Sequence, residues 1–109
     1  MNSVPAIALV LVVAAGQARQ TFTGVVTDSE CSNGDHAEMR MGPTDEECVD
    51  ACVNDHGASY VLYDGKNVYG LSDQKMAAKF AGKKARVVGT LDAKLKTIHV
   101  DSIALKKQR

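Results

Sequence analysis

Three cysteines, two histidines and two methionines crowd the stretch from Asp28 to Gly57: Cys31, His36, Met39, Met41, Cys48, Cys52 and His56. The spacing Cys31-x4-His36-x11-Cys48-x3-Cys52 offers three sulfurs and an imidazole. Such a Cys3His set can complete a tetrahedral shell around zinc, or hold copper, whose monovalent form favours sulfur. Met39 and Met41 would add thioether donors and tilt the choice toward copper, although a loop methionine also serves as an apolar filler. The rival chemistry is a disulfide. Cysteines four apart on one helix rarely have the geometry to bond each other, so a bridge would join Cys31 to Cys48 or Cys52 and leave one thiol over. Metal ligation accounts for all three sulfurs and is the preferred reading. The alternative is a disulfide-stapled structural or assembly module, self-associating through its N-terminal segment or an edge strand.

Other chemistries fit less well. His56 sits beside Gly57 at the end of a helix, where a cation suits the dipole, so it is read as a capping residue. The spacing Cys48-x3-Cys52-x3-His56 resembles the ligand loop of dinuclear copper electron-transfer centres, but Ser59 stands where that pattern needs a methionine. Haem attachment through Cys-x-x-Cys-His is absent, since Val53 follows Cys52. A calcium loop beginning at Asp28 fails because Gly34 falls at its seventh position rather than the sixth. No oxyanion or third-member signal accompanies a Cys/His nucleophile pair, so no enzymatic activity is expected.

The elements that must position these donors are short. Thr21 to Thr27 is β-branched and aromatic and predicts a first strand. Asp28 to Pro43 has no period and reads as a loop long enough to need a ligand or bridge to tie it down. Thr44 with Glu47 forms a capping box, and Asp45, Glu46 and Glu47 place negative charge at the positive end of the helix that follows. That helix carries Cys48 and Cys52 on one face, their β-carbons about 5–6 Å apart, and Gly57 stops it.

Beyond it, Tyr60 to Asp64 and Asn67 to Leu71 form a hairpin around Asp64-Gly65-Lys66. Ser72 is read as the cap of a second helix that ends at Gly82, with Met76, Ala77 and Phe80 on its apolar side. Lys84 to Leu91 alternates as a half-buried strand. In the last strand, Thr97 to Leu105, the apolar phase shifts between Val100 and Ile103, which implies a bulge near Asp101-Ser102. His99 points outward on this phase. Five strands, with a short helix between the third and fourth, predict a mainly β chain folded as a five-stranded OB-like barrel. A Cys/His loop and helix are inserted after the first strand.

Residues 1–18 read as an export signal: the apolar run from Val4 to Ala15 is too short to span a bilayer and is followed by Gly16-Gln17-Ala18, a small-x-small cleavage site. Residues 19–109 then form one domain, exported to a periplasmic or extracellular setting, with no membrane span left after cleavage. Net charge is zero but unevenly spread. Nine acids and one base, Arg40, lie between Asp28 and Asp55, against eleven bases and four acids from Asp64 onward. An acidic half around the Cys/His cluster suits a cation. A neutral chain with three tyrosines, two phenylalanines and no tryptophan is a poor candidate for nucleic acid.

The chain also resembles a family of small exported bacterial domains without assigned function. The resemblance covers roughly Phe22 to Ile103 and rests on several short segments. These are Gly24-x-Val26-x-Asp28-Ser29-x-Cys31, His36, Glu47-Cys48-x3-Cys52-Val53, Gly57-Ala58-x-Tyr60-Val61-Leu62, Val68-Tyr69-x-Leu71, Phe80-Ala81-Gly82-Lys83 and Gly89-Thr90-Leu91. It implies a shared fold and Cys31, His36, Cys48 and Cys52 as a set; it implies no reaction.

Overall fold

The computed structural model describes residues 18–35 and 44–107. The expected export signal, except Ala18, therefore lies outside the described residues, as do His36, Met39 and Met41. The described chain is mainly β with two short helices: β1 (Gln20–Asp28), α1 (Asp45–His56), β2 (Tyr60–Tyr63), β3 (Val68–Leu71), α2 (Gln74–Ala78), β4 (Lys84–Asp92) and β5 (Thr97–Leu105). The strands close in a ring in the order β1-β2-β3-β5-β4, with β4 returning to β1. All pairs are antiparallel except β3 with β5. Among the described residues no helix is long and apolar enough to cross a membrane.

β1 is the strand that closes the ring, because it serves two neighbours in turn. Its first half pairs with β4 and its second half with β2, and Val25 faces partners in both, Lys84 and Tyr63. Gly24 lies at this changeover. A Cβ there would run into the Tyr63 carbonyl oxygen, so only glycine lets the two backbones approach this closely.

Alternation decides what faces inward. Val26, Leu62, Val87 and Ile98 are fully buried, with Ala85, Leu71 and Tyr60 beside them, and Val49 of α1 joins the same core. Phe22 and Tyr69 meet with ring centroids 5.3 Å apart and planes tilted by 60°, a favourable aromatic geometry. In β5 the apolar phase shifts as expected: Val88 faces Ser102 while Gly89 faces Val100, leaving Asp101 as the extra residue of a bulge. His99 is exposed.

The second helix departs from the sequence reading. Its N-cap is Asp73, whose carboxylate accepts from the Met76 N–H at 2.9 Å. Ser72 is engaged elsewhere, its hydroxyl accepting from the Val100 N–H at 2.9 Å to hold β5. The helix also stops at Ala78; residues 79–82 continue as turns to Gly82, which takes φ 76°. Past Ala78 the backbone tightens to i→i+3 bonds, the N–H groups of Lys79, Phe80 and Ala81 donating to the carbonyls of Met76, Ala77 and Ala78, which ends the α-helix before Gly82.

A carboxylate and two thiols at the end of strand one

The site is built where β1 ends. Asp28 is the last residue of the strand, paired in register with Tyr60, and it is completely buried. Its Oδ1 accepts from the N–H groups of Glu30 at 2.8 Å and Cys31 at 2.9 Å, the local side-chain-to-backbone turn that aspartate favours. This turn brings Cys31 back over the strand end. The Thr27 hydroxyl, also buried, donates to the Cys31 carbonyl at 2.8 Å and fixes it there. The Ser29 N–H donates to the Ser59 carbonyl, and the Ser59 N–H returns a bond to the Ser29 hydroxyl, tying the turn to the approach to β2.

The second wall is α1. Thr44 caps it as its sequence predicts, the hydroxyl accepting from the Glu47 N–H at 3.1 Å, with three acids in the first turn. At the other end Gly57 adopts φ 72° and its N–H reaches the Cys52 carbonyl. Cys48, Val49 and Cys52 are the buried residues of the helix. Val49 enters the core, Cys52 faces the strand end, and Cys48 is buried one turn earlier in the helix. The Tyr60 hydroxyl donates to the Asp50 carboxylate at 2.7 Å, joining the helix to β2. Burial first, then that bond, pushes the phenol up to about 12.

The outcome is a cluster of one carboxylate oxygen of Asp28 and the sulfurs of Cys31 and Cys52, all within 4.8 Å of one another and all buried. None of the three cysteines is bridged. Burial, then the charge of Asp28, then that of Cys48, pushes the Cys52 thiol up to about 12; the same three causes in the same order raise Cys31. Cys48 thus stands within electrostatic reach of both, though outside the 4.8 Å group.

Asp28 Oδ2 is buried with no hydrogen-bond partner of acceptable geometry. The Cys52 thiol is close enough to interact with the carboxylate, but an S–H group is a weak donor. A buried carboxylate oxygen served only in this way is costly, and a cation would satisfy it.

Of the four donors expected from the sequence, the structure brings Cys31 and Cys52 together and buries Cys48 nearby; His36 lies outside the described residues. Asp28 was missed. Its signal was present in Asp28-Ser29-x-Cys31, a carboxylate at a strand end three residues before a cysteine, but a search for soft donors passes over oxygen. His56 is exposed in the last turn of α1, outside the buried cluster.

These features define a small, mainly β domain with a buried carboxylate–thiol cluster that could hold a metal ion. Searches of protein-family models, curated proteins and solved structures gave no match.

Proposed function

We propose that this chain is an exported, non-enzymatic metal-binding domain holding one transition-metal ion, zinc or copper, at the end of β1. Asp28, Cys31 and Cys52 form the centre of the donor set. Cys48 and the loop residue His36 are the further donors that the sequence spacing adds. The ion would fasten the segment after β1 to α1, a structural role compatible with metal handling. The observation that carries the reading is the buried cluster itself, with its unserved carboxylate oxygen.

We read the ring as an OB-type barrel, on the strand order β1-β2-β3-β5-β4 and the helix between β3 and β4. The resemblance to exported bacterial domains and the export signal belong to the same proposal. Two of the segments on which that resemblance rests, around Cys31 and around Cys52, are the ones that meet at the site.

The test is elemental analysis of protein purified without chelator, together with thiol titration after denaturation without reductant. About one equivalent of metal and three titratable thiols are expected, with the metal lost in Cys52→Ser. Metal-free protein with a single titratable thiol would instead establish the stapled module.

A further inference from the structure

The two oxygens of Asp28 have different tasks. Oδ1 is committed to the Glu30 and Cys31 N–H groups and shapes the turn. Oδ2 is buried with no partner beyond the weak Cys52 S–H beside the carboxylate, on a residue with no exposed surface, and the carboxylate oxygen stands within 4.8 Å of two sulfurs. A side chain needed only for the turn would not require its second oxygen to be buried beside two sulfurs.

We infer that Asp28 is itself a metal ligand, and that its carboxylate makes this a site for a divalent borderline ion, zinc, rather than copper(I); this rests on the metal-binding reading above. Charge is the first reason. As metal ligands the cysteines would bind as thiolates, and a carboxylate with two thiolates makes three anions. A divalent ion leaves one negative charge in the buried set, whereas copper(I) leaves two, and residual charge is expensive where the dielectric is low. If Cys48 adds a thiolate, both totals become more negative and the divalent ion keeps its advantage. Donor type is the second reason. Zinc accepts carboxylate oxygen alongside thiolate, while copper(I) gains little from a hard oxygen.

Asp28→Asn isolates the effect, because the amide oxygen can still accept both N–H groups while the anionic oxygen is lost. With the fold retained by circular dichroism, zinc affinity measured against a chromophoric chelator should fall on the order of 100-fold. Copper(I) affinity, measured anaerobically against a copper(I)-specific chelator, should change by no more than about threefold. Cys52→Ser should weaken both ions.

Equal loss of both ions in Asp28→Asn overturns the preference for zinc, and unchanged zinc affinity overturns the role of Asp28; either leaves metal binding standing. If the wild-type protein takes up neither ion, the metal reading itself fails. Should Asp28→Asn not fold, wild-type protein with carbon-13 in its aspartate carboxyls decides the matter. The Asp28 carboxyl resonance should move on zinc addition and stay in place with copper(I); no movement with zinc overturns the inference.

Discussion

The inner face of the β4–β5 pair and the corner between β1 and α1 both hold fully buried side chains, yet they are held by different means. In the first, apolar side chains alternate along two nine-residue strands, and Ala85, Val87 and Ile98 lose all exposure. Nothing there needs a ligand. In the second, the fully buried residues are a carboxylate, a hydroxyl, two thiols and two valines, Val26 of β1 and Val49 of α1. Hydrophobic burial follows area and is indifferent to what else is bound. Polar burial must be answered group by group: the Thr27 hydroxyl and Asp28 Oδ1 are answered within the chain, and Asp28 Oδ2 is the group that the proposed ion would answer.

The largest effect should come from the ion itself. At a free zinc concentration a thousandfold above Kd, binding stabilises the fold by about 4 kcal/mol, and chelation should remove that amount in urea unfolding. In Cys52→Ser the chelator should make almost no difference. If wild-type stability is also indifferent to chelator, the contrast between the two regions collapses.

Leu62→Ala probes the other side of the contrast. Leu62 is fully buried and faces Val26 across the β1–β2 pair, so its truncation should cost about 3 kcal/mol. That loss should be the same with and without metal. A loss that grows when zinc is removed would show that the apolar ring and the thiol corner are not independent.

Tyr60→Phe acts at the seam. It removes the hydroxyl bond to Asp50 and should cost about 1 kcal/mol at neutral pH. The phenol is raised to about 12 in the fold, so it stays neutral while the unfolded chain begins to ionise near pH 10. Its contribution is therefore complete below about pH 10 and is lost as pH rises toward 12, because the unfolded state then holds fewer protons. Wild-type stability should slope downward across that window and Tyr60→Phe should flatten the slope, which denaturant unfolding at several pH values would reveal.

The smallest change is at the helix cap. Thr44→Ala removes the acceptor for the Glu47 N–H and should cost about 0.5–1 kcal/mol. If α1 is positioned by the ion, metal-loaded protein should feel less of this than apo-protein, as thermal melts of both would show.

Much of the fold was legible because alternation and capping act locally. Thr44, Gly57 and the bulge at Asp101 follow from neighbours within a few positions. Ser72 misled because its hydroxyl serves Val100, a partner twenty-eight residues away that no local rule supplies. The site was legible only in part. Spacing put Cys48 and Cys52 on one helical face, but which of the two comes nearer the end of β1 depends on how α1 packs, and spacing does not fix that. Asp28 was hidden for a different reason: whether a carboxylate shapes a turn or offers an oxygen to an ion depends on what covers it, and the covering helix begins seventeen residues later.

The bond from Tyr60 to Asp50 also makes the domain its own optical gauge. The chain contains no tryptophan, so its ultraviolet emission belongs to three tyrosines, and Tyr60 lies in register with Asp28 while gripping the helix that carries Cys52. Any shift of that helix alters the phenol's contact with its carboxylate. If the proposed ion moves the helix, filling and emptying of the site would be followed by light, with no label attached.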